Sequence, residues 1–176
     1  ERGLAVGNGS LVMAVQHATG VIPVSAGKPE PQIFLLSAAR AGATSPIAVG
    51  DRLDTDIAGG VAAGVPSLHV LTGVSSAREV ILAPPPLRPS YLGRDLRDLA
   101  LAHPAVTPDG EWWTCSRARA RVANGGVEIA RADGSLHLQA PTVLSLDEYR
   151  AVTAAAWAAV DAGIAAAVPE ITVEPA

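Results

Sequence analysis

Three carboxylates occur within six residues of the stretch Val49-Gly50-Asp51-Arg52-Leu53-Asp54-Thr55-Asp56-Ile57, which continues the apolar run that begins at Ile47. Short apolar runs alternate with helical patterns on both sides of this stretch, which predicts strands that alternate with helices. Such an alternation is typical of an α/β fold with a parallel sheet covered by helices on both faces. The carboxylates therefore follow a predicted strand at its carboxyl end, where open α/β sheets bind their ligands.

These carboxylates form a candidate metal site. Oxygen ligands crowded in this way are typical of sites for a hard cation such as Mg²⁺. We expect Asp51 to bind Mg²⁺ directly, and the alternative for it is an ordinary loop carboxylate. Asp56 lies in the first turn of the following helix, where it either orients a metal-bound water or another ligand or stabilises the helix N-terminus. Helix capping is also the alternative for Asp54.

Lys28 is the only lysine among the 13 basic residues of the chain. A compact ammonium that must approach one oxygen is not interchangeable with a guanidinium, so this single use of lysine indicates a specific contact. Lys28 lies in a loop between a predicted short strand at Val21–Val24 and a helix, one unit before Asp51, so we expect both residues at the same edge of the sheet. An ammonium and a bound Mg²⁺ are suited to stabilising a phosphoryl group. The alternative is a solvated loop lysine.

The sequence pattern changes at about residue 100. Three successive prolines, Pro84-Pro85-Pro86, end the alternation, because they can continue neither a helix nor a central strand. Beyond His103 we predict an antiparallel sheet with turns at Gly125-Gly126 and Asp133-Gly134. Its strands are expected at residues 112–122, 127–130 and 136–139.

A helix is predicted to follow this sheet. Ser145 and Glu148 have the spacing of a capping box, and the helical pattern continues to about Ala162. The tail from Pro169 is expected to be loose. Residues 101–176 are thus predicted to form a small α+β module of their own.

Composition and charge exclude several classes of partner. The net charge is −4 and the longest basic run is a set of alternating arginines at 117–121, which argues against nucleic acid. The single cysteine, Cys115, excludes an intrachain disulfide and a cysteine-based zinc site, and it fits a reducing cytoplasm. No apolar stretch reaches transmembrane length, so no membrane partner is expected. The four histidines are scattered without ligand spacing, which favours structural roles.

Two segments of the chain resemble motifs of a known family. Ala26-Gly27-Lys28-Pro29-Glu30-Pro31 and the acidic stretch at 49–57, with the later Gly64 and Leu71-Thr72-Gly73-Val74, are similar to motifs III and IV of the haloacid-dehalogenase-type phosphatases. The form of the acidic stretch is specific to the C2-capped subclass that includes the NagD-like and p-nitrophenylphosphate phosphatases. The resemblance runs from about residue 3 to residue 99.

The resemblance implies that residues 25–100 are the C-terminal part of a Rossmann-like phosphatase core and that residues 1–24 end an inserted cap domain. It implies a Mg²⁺-dependent phosphomonoester hydrolase that acts on a small phosphorylated metabolite such as glycerol 3-phosphate through an aspartyl-phosphate intermediate. Lys28 would be the catalytic lysine that neutralises this intermediate. Asp51 and Asp56 would be the acids of the metal site.

The nucleophile of this family lies in an Asp-x-Asp motif, and no such motif precedes Lys28. We therefore expect the nucleophile-bearing half to be absent from this chain. The expected partners are the N-terminal half of the same polypeptide and a small phosphorylated metabolite, with a homo-oligomer also open.

The same resemblance likens residues 101–176 to a reduced acetyltransferase-type (GNAT-like) fold, although Asn124 stands where the acyl-CoA loop of that superfamily needs glycine. Two other functions stay open. One is a non-catalytic regulatory or binding protein of the same fold, and the other is an acyl-CoA-binding C-terminal module.

Overall fold

Three short parallel strands form the sheet of the first half of the chain. The computed structural model describes residues 5–132 and 134–175. Strands β1 (Ala48–Gly50), β2 (Ser67–Val70) and β3 (Tyr91–Gly93) lie side by side in that order, and all run in the same direction. This arrangement confirms the predicted α/β fold with a parallel sheet.

Strand β3 is an element that the sequence pattern does not predict. It follows a proline-rich segment and is only three residues long, so it carries little periodic signal. In the structure Leu92 is buried and lies opposite His69 of β2. The pairing with β2, which is distant along the chain, is therefore what makes this segment a strand.

Helices connect these strands. Gly20 and Gly42 end the first two helices in the left-handed conformation, with φ of 71° and 62°, as predicted. None of the described helices is both long and apolar enough to cross a membrane. The helical elements of this half are α1 (Asn8–Thr19), α2 (Gln32–Ala41), a π-helical turn (Leu53–Ile57), α3 (Ala58–Ala62), α4 (Ala77–Ile81) and two 3₁₀ turns (Pro85–Leu87 and Leu96–Ala100).

The described chain before β1, residues 5–47, is strongly exposed. Neither α1 nor α2 contains a buried residue. The predicted strand at Val21–Val24 is wrong, because these residues pair with no strand in the described part of the chain and Val24 is 95% exposed. Side chains of this type favour a strand only where a neighbouring strand packs against them. The result is an open apolar surface that extends over α1, α2 and the segment between them.

The second half of the chain is built on a five-stranded antiparallel sheet in sequential order. The predicted single strand at 112–122 is wrong, because the chain reverses at Ser116 and Arg117. Ser116 has a φ of 53°, and this turn contains neither glycine nor proline, which are the strongest turn signals. Within the predicted turn at 133–134, Asp133 lies outside the described residues. The strands are β4 (Val106–Asp109), β5 (Trp112–Cys115), β6 (Ala118–Ala123), β7 (Gly126–Arg131) and β8 (Gly134–His137).

Helix α5 (Leu146–Asp161) packs against this sheet. The predicted capping box is confirmed, because Ser145 Oγ accepts a hydrogen bond from the Glu148 amide (3.3 Å) and Glu148 Oε2 accepts one from the Ser145 amide (2.8 Å). The prediction of a loose tail is wrong. Residues 171–173 form β10, which pairs in parallel with β9 at residues 142–144 and buries Ile171.

The two halves of the chain share one hydrophobic core. Buried residues form a continuous cluster from Leu53 to Ile171. Polar contacts reinforce it, because Trp157 Nε1 of α5 donates to the carbonyl oxygen of Val80 in α4 (3.1 Å). A division into domains between residues 100 and 101 stays a prediction. The contacts of α5 with α4 and β3 are called the junction below.

The hydroxyl group of Tyr149 provides a test of this core. Tyr149 is fully buried, which raises the pKa of its phenol, and its hydroxyl has no hydrogen-bond partner in the described part of the chain. Because an unpaired buried hydroxyl costs about 1–3 kcal/mol, we expect Tyr149→Phe to keep or raise the free energy of unfolding. Tyr149→Ala should lower it by about 3–5 kcal/mol, since it opens a cavity. Urea unfolding followed by circular dichroism measures both, and a clear loss in the phenylalanine variant would contradict the assignment.

Candidate active site

Polar groups converge at the carboxyl edge of the parallel sheet. Parallel strands bring their carboxyl ends to one edge, where α/β folds place their ligands. The loop after β1 carries Asp51, and the loop after β2 runs from Leu71 to Ser75. Lys28, in the loop before α2, reaches the same edge through its contact with Asp56. The structure thus brings Lys28, Asp51 and Asp56 to one edge of the sheet, as the sequence predicts.

Asp51 is held by the loop after β2. Its Oδ2 accepts a hydrogen bond from the Val74 amide (2.8 Å), and its carbonyl oxygen accepts one from the Ser75 amide (2.9 Å). A Cβ at Gly73 would collide with the Asp51 carboxyl group, so this position requires glycine. The other carboxylate oxygen, Oδ1, accepts no hydrogen bond from the described residues. Asp51 therefore has a fixed orientation and one open oxygen.

Asp56 is buried, with 7% of its surface exposed, and it fixes the ammonium of Lys28. Its Oδ1 accepts a hydrogen bond from Lys28 Nζ (2.5 Å), and its Oδ2 accepts one from the Arg52 amide (3.2 Å). A Cβ at Gly50 would overlap the Asp56 side chain, so glycine at the end of β1 makes room for it. The Lys28 side chain keeps 46% of its surface exposed, which leaves the ammonium accessible.

A π-helical turn sets the position of Asp56. The amides of Asp56 and Ile57 both donate to the carbonyl oxygen of Arg52 (3.1 Å each), which widens the first turn after the loop. Single π-helical turns of this kind are frequent at functional sites. The sequence predicts a helix here but gives no signal for the wider turn, and the wider turn directs Asp56 back towards β1.

Arg52 and Asp54 form an exposed ion pair beside the site. Arg52 Nε donates to Asp54 Oδ1 (3.0 Å) and Arg52 Nη2 donates to Asp54 Oδ2 (2.6 Å). The hydrogen bond from Arg52 lowers the pKa of the Asp54 carboxyl and raises that of the guanidinium. Asp54 thus pairs with a neighbouring side chain rather than capping the helix. Exposed pairs of this type add little to stability.

His69 also contributes to the site, although the sequence pattern favours only a structural role for it. It is fully buried in β2, and its Nε2 donates to the carbonyl oxygen of Asp51 (3.2 Å). Burial lowers the pKa of the imidazole, so the ring is neutral. His69 lies opposite Gly50 in the pairing of β1 with β2. Only this register places it beneath Asp51, and a sequence pattern does not define register.

The predicted metal ligands are only partly arranged for a metal ion. Among residues 5–132 and 134–175, no three His, Cys, Asp or Glu side chains are grouped so that they could hold one. Asp51 offers an open oxygen, whereas both oxygens of Asp56 already accept hydrogen bonds. Mg²⁺ prefers about six oxygen ligands, of which several are usually water or substrate. Asp51 therefore fits the role of one ligand in a set that other groups must complete.

Some known proteins resemble nearly the whole chain, and others resemble only its first half. Residues 25–99 match the HAD-hydrolase-like family model. D-glycerol 3-phosphate phosphatase of Mycobacterium tuberculosis is 44% identical over 161 residues, which are 90% of this chain and 44% of that protein. Acid sugar phosphatase of Staphylococcus aureus (strain USA300) is 42% identical over 100 residues, which are 56% of this chain and 38% of that protein. The chain therefore spans less than half the length of these curated relatives.

The solved structures agree with the sequence relatives. The crystal structure of glycerol phosphate phosphatase from Mycobacterium tuberculosis in complex with magnesium has a TM-score of 0.70 and 40% identity, and the match covers 99% of this chain and 48% of that one. The calcium complex of the same phosphatase has a TM-score of 0.67 and 38% identity, with the same coverage. With the parallel sheet and the groups at its carboxyl edge, these matches show that residues 25–99 belong to the haloacid-dehalogenase-like hydrolases.

Proposed function

We propose that this chain is the C-terminal half of a Mg²⁺-dependent phosphomonoester hydrolase. The observation that carries the proposal is the ammonium of Lys28, fixed on buried Asp56 at the edge where Asp51 presents an open carboxylate oxygen. A cation and a metal-binding oxygen at one edge are suited to a phosphoryl group. The names of the relatives, which are phosphatases, support the same reaction class.

Each side chain has a distinct role in this proposal. Lys28 contacts an oxygen of the phosphoryl group and offsets its charge, while Asp56 holds the ammonium in place. Asp51 binds Mg²⁺ through its open oxygen, and Asp56 lies behind the metal site rather than in it, because both of its oxygens are engaged. The ion, when bound, supplies Lewis-acid polarisation of the phosphoryl oxygens. The loop at Gly73 and Val74 keeps Asp51 oriented throughout.

The nucleophile of the reaction must come from another segment. No Asp-x-Asp motif precedes Lys28, so the aspartyl-phosphate would form on an aspartate outside this chain. The open apolar surface of α1 and α2 gives such a segment a place to bind, since Leu36 of α2 is 69% exposed and neither helix has a buried residue. β1 also lies at the edge of the sheet, where a further strand can pair.

The occupant that we propose for this surface is the N-terminal half of the same polypeptide. Residues 1–24 would then be the end of a cap domain that closes over the site, and residues 25–100 the remainder of the core. A second copy of the chain is the alternative occupant. For the substrate we propose a small phosphorylated metabolite such as glycerol 3-phosphate, as the name of the mycobacterial relative suggests.

For residues 101–176 we propose a structural role, with a reduced acetyltransferase-type (GNAT-like) fold as the finer assignment. Acyl-CoA binding has less support. A loop that binds phosphates usually opens a helix with free amides, whereas residues 121–126 form a tight hairpin between β6 and β7, with positive φ at Asn124 and Gly125. A non-catalytic binding protein of the same fold remains the rival function.

The proposal is tested by supplying the missing half. We expect this chain, fused behind the N-terminal half of the mycobacterial phosphatase, to hydrolyse glycerol 3-phosphate in the presence of Mg²⁺. Lys28→Ala and Asp51→Asn should each lower kcat/KM by at least about 100-fold, because each removes charge stabilisation of the reacting phosphoryl group. Phosphate release measures turnover. Arg131→Ala, in the distant antiparallel sheet, is the matched control and should keep full activity.

Two results would contradict this proposal. A folded fusion protein without activity would favour the non-catalytic function. Near-normal turnover in the Lys28 or Asp51 variants would remove the site assignment, and thermal unfolding of each variant separates a loss of chemistry from a loss of fold.

The glycine beneath Asp51 offers a second test. A Cβ at residue 73 overlaps the Asp51 carboxylate, so Gly73→Ala should turn that carboxylate away from the site. We expect the Mg²⁺ concentration for half-maximal activity of the fusion protein to rise at least about tenfold, because a misplaced Asp51 carboxylate binds the ion more weakly. Gly9→Ala is the control, because nothing lies within 4 Å of a Cβ added there. An unchanged Mg²⁺ dependence would show that Asp51 is not a metal ligand.

A further inference from the structure

Helix α4 begins directly after the loop that orients Asp51. Val74 donates its amide to Asp51 Oδ2 (2.8 Å), and Ser75 donates its amide to the Asp51 carbonyl oxygen (2.9 Å). The next residue, Ser76, caps α4, because its Oγ accepts from the Glu79 amide (3.2 Å) and Glu79 Oε2 accepts from the Ser76 amide (2.6 Å). The position of α4 therefore sets the position of the two amides that orient Asp51.

Helix α4 is too short to be stable without tertiary contacts. It has five residues, Ala77–Ile81, and isolated helices shorter than about 12–15 residues are marginal in water. Val80 and Ile81 are fully buried in the core that both halves of the chain share. Packing against that core, rather than helix propensity, therefore holds α4 in place.

The C-terminal module holds α4 through two polar contacts. Trp157 Nε1 of α5 donates to the carbonyl oxygen of Val80 (3.1 Å). Arg78 Nε of α4 donates to the carbonyl oxygen of Val168, in the segment before β10 (2.8 Å), and it lies 3.7 Å from Glu170 Oε1. The first contact is near the C-terminal end of α4 and the second is in its first turn. Residues beyond position 150 thus fix α4 at both ends.

Arg88 adds a further contact just beyond α4. Its Nη1 donates to Asp161 Oδ2 at the end of α5 (2.7 Å), and its Nε donates to the carbonyl oxygen of Ala83 (3.0 Å). Its guanidinium carbon lies 5.2 Å from the centre of the Trp157 ring, which is within the range of a cation–π contact. Trp157 therefore contacts both α4 and the segment that follows it.

We propose that the C-terminal module positions the loop after β2 for metal binding, with Trp157 as a positioning residue. The inference rests on the proposed function, in which Asp51 binds Mg²⁺. Trp157 holds α4 at Val80. Helix α4 in turn holds the amides of Val74 and Ser75, and these amides orient the Asp51 carboxylate. When the junction is loosened, the two amides withdraw and Asp51 binds the ion more weakly.

The ion pair of Lys28 with Asp56 does not depend on this path. Lys28 Nζ and the Arg52 amide donate to the two Asp56 oxygens, and among the described residues no hydrogen bond joins the Lys28 or Asp56 side chain to α4 or α5. A loosened junction thus leaves the cation for the phosphoryl group in place. The expected effect is on the Mg²⁺ dependence of the reaction and not on its rate at saturating Mg²⁺.

Hydrogen exchange of the whole chain, followed by nitrogen-15 NMR, tests the structural step without any measurement of activity. Trp157→Phe keeps an aromatic ring but removes the donor to Val80. The amides of Val74 and Ser75 should exchange about fivefold faster in this variant, which is the effect expected from one net hydrogen bond. Amides in β6 and β7 report on the module itself, and their exchange should change less than that of the two loop amides.

A second variant and a matched control accompany this experiment. Arg78→Met removes the donor to Val168 but keeps an apolar side chain, so it should accelerate exchange of the same two loop amides. Trp112→Phe is the control for the loss of a tryptophan. Trp112 lies against the guanidinium groups of Arg119 and Arg121 in β6, and its replacement should leave the loop amides as in the wild type.

The fusion protein tests the link to metal binding. In Trp157→Phe the Mg²⁺ concentration for half-maximal activity should rise at least about threefold, which is less than the roughly 10–100-fold typical of a residue that contacts a metal ligand directly. The value of kcat at saturating Mg²⁺ should stay near that of the wild type. Recovery at high Mg²⁺ separates a positioning role from a general loss of fold, and Trp112→Phe should show no change.

Unchanged exchange at Val74 and Ser75 in both variants would overturn the proposal. The loop would then be held by its own half of the chain, where the Leu53 amide donates to Ser75 Oγ (3.2 Å). Faster exchange with an unchanged Mg²⁺ dependence would also overturn it. An inactive fusion protein would instead contradict the proposed hydrolase function, and hydrogen exchange then decides the positioning role. Should Trp157→Phe fail to fold, Arg78→Met decides.

Discussion

The ion pair of Lys28 with Asp56 joins segments that are 28 residues apart and fixes the candidate active site. It forms because a π-helical turn directs Asp56 back over Gly50, where the absence of a side chain leaves room. Burial of the Asp56 carboxylate requires a partner for its charge, since an unpaired buried carboxylate is strongly unfavourable. Lys28 meets this requirement and is thereby held at the edge where Asp51 lies.

A second set of contacts orients Asp51. The loop after β2 donates amides to it, and His69 supports its carbonyl oxygen from below. Ser76 then caps α4, and α4 in turn packs against α5 of the C-terminal module. The site and the junction are therefore parts of one continuous core. The apolar surface of α1 and α2 is left open.

Much of this arrangement could be predicted from the sequence. The alternation of apolar runs with helical patterns predicts a parallel sheet, and strand ends in such a sheet meet at one edge, so Lys28 and Asp51 could be placed together. The capping box at Ser145 is a local pattern and is confirmed. Two predictions failed because the structure there is nonlocal or weakly signalled. Strand β10 depends on its pairing with β9, and the turn at Ser116 contains neither glycine nor proline.

The sequence by itself determined the reaction class that these residues suggest, because a lone lysine and a crowded group of carboxylates after a strand are local features. It left the role of Asp56 open between metal site and helix terminus. Only the tertiary structure shows that both oxygens of Asp56 accept hydrogen bonds and which oxygen of Asp51 is open. These properties depend on strand register and on contacts between distant segments, and no local pattern of residues encodes them.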